Sequence, residues 1–177
     1  MRKAHAMFRA VVSTAVLALA ALAIPGAGPA AAAPQHPEPG NYCTPKEEFY
    51  GSGGYIFTDA WVCLKVYDTG LVQAWLETDR NTYYWGASWW NSTPGYPSSV
   101  RATGTVSKQG EKVFDYEASA QQESRAAQHF GGSGELNECG AYTVTFNYYQ
   151  VGAYHGSDRA IDAAERTYQV QVNCAAN

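Results

Sequence analysis

Apolar and polar side chains alternate along most of the chain beyond residue 40, and most cleanly over residues 60–78, AWVCLKVYDTGLVQAWLET. A period of two puts successive side chains on opposite faces, the mark of a strand half buried against a core. Asp68-Thr69-Gly70 suits a three-residue hairpin loop with glycine at its left-handed position. Tyr67 then faces Leu71, and Val62, Leu64, Val66, Val72, Ala74 and Leu76 share one face. A slip of one residue would send all of these aliphatic side chains to solvent, so hydrophobic burial specifies the register. The opposite face carries Trp61, Cys63, Lys65, Tyr67, Gln73, Trp75 and Glu77.

Residues 100–118, VRATGTVSKQGEKVFDYEA, predict a second hairpin with Gln109-Gly110-Glu111 as its loop. Val106 then faces Phe114, Ala102 faces Ala118, and the Tyr116 ring covers Gly104. Arg101, Thr103, Thr105, Asp115 and Glu117 fall on a wet face, as expected of an antiparallel sheet with one side solvated. A third pair of strands lies at residues 142–151 and 167–174, where Tyr142, Val144, Phe146, Tyr148, Tyr168, Val170 and Val172 alternate with polar residues. In the connection between them, Ser157 suits the cap of a short helix over residues 158–165.

Other segments carry weaker patterns. Residues 78–81 predict a turn, residues 83–90 an aromatic-rich strand, and residues 91–97, NSTPGYP, an exposed loop. Residues 119–129 fit either a short helix with Ser119 and Gln122 as a capping box or a polar strand extension. The glycines of residues 131–134 predict a flexible break. Six to eight short strands with polar outer faces imply an antiparallel β-sandwich. An immunoglobulin-like arrangement is an analogy drawn from a strand cysteine, a nearby tryptophan and a late cysteine, in an unusual order; a small closed β-barrel is the alternative.

The N-terminus changes the picture from a β domain to a secreted β domain. Arg2, Lys3 and Arg9 precede an apolar, Ala/Leu-rich run at residues 10–24, which Pro25, Gly26 and Pro29 interrupt before a small-residue cleavage motif. This predicts a secretory signal over residues 1–32, of bacterial look, cut after Ala32. The apolar run is shorter than the roughly 20 residues that span a bilayer. Residues 33–41 read as a Pro-rich flexible leader and residues 42–177 as one domain. All four cysteines lie in that domain, and an even count in a secreted chain predicts two disulfides. Of the three possible pairings, Cys43–Cys63 with Cys139–Cys174 is favoured because each joins sequence neighbours at strand ends, and the first bridge would strap the N-terminal segment across the face that bears Cys63.

Charge and motifs then exclude several chemistries. The formal charge of −4 becomes −7 once residues 1–32, with Arg2, Lys3 and Arg9 and no acid, are removed. Such a domain repels nucleic acid and anionic membranes and has no basic run to offset this. No C-x-x-C pair, nearby histidine or D-x-D cluster suggests zinc or calcium, and no cofactor is implied. Ser52 and Ser133 lie among glycines but miss the nucleophile-elbow pattern. His155-Gly156-Ser157-Asp158 reads as a surface loop, because triad members normally come from separate elements, and His129 reads the same way. Glu47, Glu48, Glu77, Asp79, Asp115 and Glu117 supply carboxylates for a small acidic-residue hydrolase.

Aromatic content points instead to binding. Tyr83, Trp85 and Trp89 alternate on one face of the strand expected at residues 83–90, with Tyr84 and Trp90 on the other, while Trp61 and Trp75 lie on the mixed face of the neighbouring hairpin. These rings either fill the space between two sheets or form a surface for a ligand. The functional expectation is a secreted binding protein for glycan or cell-envelope material, with Tyr83, Trp85, Trp89, Trp61 and Trp75 as its candidate contacts. A protein-binding module, or an inhibitor of an extracellular enzyme using a disulfide-held loop such as NSTPGYP, is the alternative.

Overall fold

The aliphatic stripe of residues 62–76 forms in the register that its alternation requires. In a computed structural model, which describes residues 35–176, Val62 pairs with Leu76, Leu64 with Ala74 and Val66 with Val72, and all six are buried. The expected signal segment, residues 1–32, lies outside the described residues. Gly70 adopts φ +79°, closing the three-residue loop through Tyr67 N–H to the Leu71 carbonyl.

The two strands of this hairpin, β3 (Ile56–Val66) and β4 (Leu71–Trp85), are the spine of the first sheet. Two short strands, β1 (Gly40–Cys43) and β2 (Glu47–Tyr50), complete the outer edge of β3. The other edge of β4 is shared by β5 (Ser88–Asn91) and β8 (Ala127–Glu135). The second sheet is built on β6 (Ser98–Lys108), β7 (Glu111–Gln122) and β9 (Gly140–Val151). Beyond β9 lie β10 (Ile161–Asp162) and β11 (Arg166–Val172). Every ladder is antiparallel, and the inner faces meet in one core. The first sheet supplies mostly aliphatic side chains and the second supplies Phe114, Tyr116, Tyr142, Phe146 and Tyr148. Phe49 of β2 reaches across, its ring 5.1 Å from Tyr148 and 5.8 Å from Phe146. The chain is therefore an all-β sandwich with two disulfides, Cys43–Cys63 and Cys139–Cys174.

Neither disulfide follows the immunoglobulin pattern of a bridge between sheets. Cys43 and Cys63 are directly opposed on adjacent strands. Cys139 immediately precedes β9 and Cys174 follows its partner β11. The N-terminal segment thus adds to the edge of the first sheet and does not strap its face, because β3 offers an unpaired backbone edge there. Backbone pairing also reaches into the expected leader: Pro37 bridges Cys174, Glu38 N–H donates to the Asn173 carbonyl, and the His36 carbonyl accepts from Ala175 N–H.

Several local expectations give way to sheet pairing. The second hairpin turns on two residues, Gln109 and Gly110, both at positive φ, and a bulge between Val106 and Ser107 restores the expected pairs Val106–Phe114, Gly104–Tyr116 and Ala102–Ala118. Residues 119–122 continue β7, and residues 127–135 form β8, glycines included. These glycines let β8 lie against β7: a Cβ at Gly134 would stand 2.5 Å from the Phe114 ring. The helix expected at 158–165 is a single 3-10 turn, Ser157–Arg159, which Ser157 does not cap by its side chain.

Gly104 marks the tightest contact between strands. A Cβ there would fall 2.0 Å from the Thr145 carbonyl and 2.5 Å from the Tyr116 hydroxyl, which itself donates to Thr145 O. Gly104→Val should therefore lower stability by about 3 kcal/mol, read as a lower urea midpoint at an unchanged slope. Gly95→Ala, where nothing stands within 4 Å, should be near neutral in the same assay.

Candidate binding surface

The surface is built on an irregularity in β4. Between the pairs Asp59–Asp79 and Phe57–Thr82, two residues of β4 oppose one of β3, and Arg80 takes φ +51°. This bulge replaces the turn expected at residues 78–81. Its cause is on β3: the Asp59 side chain is fully buried beneath Lys46 and Arg80. Arg80 Nε and Nη2 donate to the two Asp59 oxygens at 2.6 and 2.5 Å, Nη2 also reaches Glu48 at 2.7 Å, and Lys46 stands 2.9 Å away. Burial works to raise the Asp59 pKa, but the hydrogen bonds from Arg80 and Lys46 outweigh it and hold the carboxyl below its usual range.

A bulge changes which parity faces the core. Before it, Val72, Ala74, Leu76 and Thr78 point inward; after it, Asn81 and Tyr83 do. Asn81 links the sheets, its Oδ1 accepting from Gln150 Nε2 at 2.7 Å and from Ser92 Oγ at 3.1 Å. Its backbone N–H, freed by the bulge, donates to the Arg125 carbonyl at 3.0 Å and so fixes the β7–β8 connection beside β4.

Past Tyr83 the chain does not run on as one strand. Gly86 and Ala87, at φ +58° and +67°, form a two-residue turn, and β5 returns with Trp90 opposite Tyr83 and Trp89 opposite Tyr84. The turn corrects the expected parity: Tyr83, Trp85 and Trp90 share one face, and Tyr84 and Trp89 share the other. Trp85, Trp89 and Trp90 are 53, 49 and 54% exposed, so the hairpin tip is a projecting aromatic element and not core filling.

The two faces differ in chemistry. On the core-side parity, Trp85 stacks on Tyr154 with centroids 4.9 Å apart, and Tyr154 stacks on Tyr96 at 4.9 Å. With Tyr83, Trp90, Asn91 and Thr93 they border an aromatic cavity of about 400 Å³. The loop expected to be disulfide-held is instead pinned by the Thr93–Tyr96 backbone pair and by Ser92 Oγ, 2.6 Å from Ser98 Oγ. On the outer face, a groove of about 440 Å³ is lined by Tyr50, Phe57, Trp89, Thr82, Asn91, Arg80 and Arg125. Tyr50 packs on Phe57 at 4.7 Å, Trp89 meets Phe57 edge-on at 6.4 Å, and the Arg80 guanidinium lies 4.6 Å above the Phe57 ring.

Of the residues singled out from sequence, Tyr83 is buried, and Trp85 and Trp89 are exposed on opposite faces. Trp61 and Trp75 are half-buried further along the outer face of the first sheet, Trp61 beneath Lys46 and Trp75 edge-on to Phe130. Trp75 lies on the opposite side of β4 from Tyr83, and Trp89, which shares the outer face, meets Phe57 and Tyr84 and not Trp61 or Trp75. Tyr50, Phe57, Arg80, Arg125, Tyr96 and Tyr154 were not singled out; a Tyr two residues from a Glu–Glu pair or a lone Tyr in a glycine-rich loop carries no local signal.

The carboxylates considered for hydrolysis are each tied to a partner, with Glu48 and Asp79 converging on the Arg80–Lys46 cluster and Glu47 pairing with Arg166. Asp79 bonds Lys46 and the Arg80 backbone N–H, Asp115 bonds Lys112 and Thr105, Glu117 pairs with Arg101, and Glu77 accepts from Gln128. Hydrogen bonds from these partners hold Asp79 and Asp115 below their usual range, the reverse of what a proton donor needs. His155 Nε2 stands 2.9 Å from the Tyr84 carbonyl and its ring lies 5.2 Å from Tyr55, so it supports the hairpin base. No protein-family model, curated protein or solved structure matches the chain.

The buried Asp59 makes a pH prediction. With its folded-state pKa depressed, its contribution is complete above about pH 4–5, the range of an ordinary carboxyl, and is lost as the pH falls through the folded-state value. Asp59→Asn should cost about 3 kcal/mol at pH 7. The gap between the two proteins, measured by urea unfolding, should narrow steadily on acidification.

Proposed function

We propose that this is a secreted bacterial binding protein for glycan or cell-envelope material, with the outer-face groove beside the β4–β5 hairpin as its binding site. The observation that carries the reading is the composition of that groove: exposed rings of Tyr50 and Trp89 with the hydroxyl of Thr82, the amide of Asn91 and two guanidiniums around them. Sugar rings present an apolar face bordered by hydroxyls, so a flat aromatic surface beside planar hydrogen-bonding groups matches both. Exposed aromatic clusters in a well-packed protein mark contact surfaces, and a disulfide-bonded sandwich suits an oxidising extracellular setting.

A second reading rests on the opposite face of the hairpin. The Trp85–Tyr154–Tyr96 stack borders a cavity with few polar groups, which favours a protein partner over a sugar.

Single substitutions separate the two, because the faces use different rings. In a pull-down on insoluble polysaccharides, Trp89→Ala and Tyr50→Ala should each weaken retention about tenfold, a loss of about 1.4 kcal/mol. Trp85→Ala should leave it unchanged. Retention that survives both outer-face changes, with the variants folded by circular dichroism, rejects the glycan reading.

A further inference from the structure

We infer that the outer-face groove selects a carboxylate-bearing glycan, a uronic-acid polysaccharide, over neutral ones; the inference rests on the glycan reading above. The chain carries 16 acidic and 12 basic residues, yet the groove is lined by two arginines and no carboxylate. Both guanidiniums are held in place while keeping donors free. Arg80 uses Nε and Nη2 on Asp59 and Glu48, and among the described residues its Nη1 has no protein partner. Phe57 beneath it fixes the plane of the fork. The Arg125 side chain is 58% exposed, and among the described residues its ion pair is Nε to Asp79 at 3.3 Å, with no hydrogen bond from either terminal nitrogen. Its backbone is tied to the bulge through Asn81 N–H.

A planar guanidinium edge pairs with a carboxylate through two parallel N–H···O bonds, which a neutral hydroxymethyl group cannot reproduce. Stacking on Trp89 and Tyr50 would hold the ring while Arg125 reads its carboxylate. The acidic balance of the whole domain does not oppose this at short range. Charges more than about 8 Å away are screened at physiological ionic strength, and the carboxylates that contact these arginines, Asp59, Asp79 and Glu48, are held in ion pairs with Arg80, Lys46 and Arg125.

The test compares polygalacturonate with its fully methyl-esterified form, which has the same backbone without the charge, using affinity electrophoresis of the disulfide-bonded protein. The acid form should bind at least about tenfold more tightly at low salt and lose that advantage as salt is raised. Arg125→Gln should remove the preference, weakening binding to the acid form about tenfold more than binding to the ester, and Arg125→Lys should restore part of it. Equal binding of both polymers, abolished by Trp89→Ala, overturns the carboxylate selection and leaves the glycan site standing. Binding of neither these polymers nor any neutral polysaccharide overturns both.

Discussion

A carboxylate buried on β3 organises the end of the molecule that carries its surface chemistry. Asp59 has no contact with solvent and requires two cationic partners to remain charged there. Arg80 meets it with a bidentate fork only by leaving the regular strand, which places one extra residue in β4. That single insertion exchanges the inward and outward parities for the rest of the strand. Asn81 and Tyr83 turn into the sandwich, and Thr82 and Tyr84 turn out. Everything distal to the bulge, including the order of rings on the hairpin, inherits this choice.

The distal end is held by a polar layer and not by the aliphatic core. Asn81, Gln150, Ser92, Ser98 and Tyr148 form buried hydrogen bonds between β4, β9, the loop after β5 and the start of β6. Directed bonds of this kind fix position more narrowly than apolar contact does. They allow a hairpin with three exposed tryptophans to project from the sandwich without drawing those rings inward. The two faces of the hairpin then meet different surroundings. One is closed by tyrosines from the loops at 96 and 154, the other opens onto arginines anchored at the bulge. The same geometry that sets the rings apart also brings two arginines to one groove of an acidic protein.

Much of the sandwich was legible in the order of residues. The aliphatic stripe of β3 and β4, the pairing of Gly104 with Tyr116, the alternation of β9 and β11 and both disulfides follow from period-two burial and from cysteine spacing. These signals are local, and each is strongly penalised if shifted by one residue. Glycine-rich β8 and polar residues 119–122 were harder to place, because their strand character comes from close approach to β7 and from ladder partners distant in sequence.

The candidate surface lay outside that kind of reasoning. Six aromatic residues between Thr82 and Pro97 announce an unusual segment, but parity along a strand is a cumulative count, and the bulge at Arg80 and the turn at Gly86-Ala87 each reset it. Neither carries a distinctive local signature: an arginine at positive φ is uncommon, and Gly-Ala is a weak turn signal beside the Pro-Gly that follows. Period-two alternation and the even cysteine count by themselves point to a disulfide-bonded antiparallel β domain rich in aromatic residues. Which rings reach solvent, and which arginines stand beside them, depends on a buried charge finding its partner across three strands, an interaction that exists only once those strands have paired.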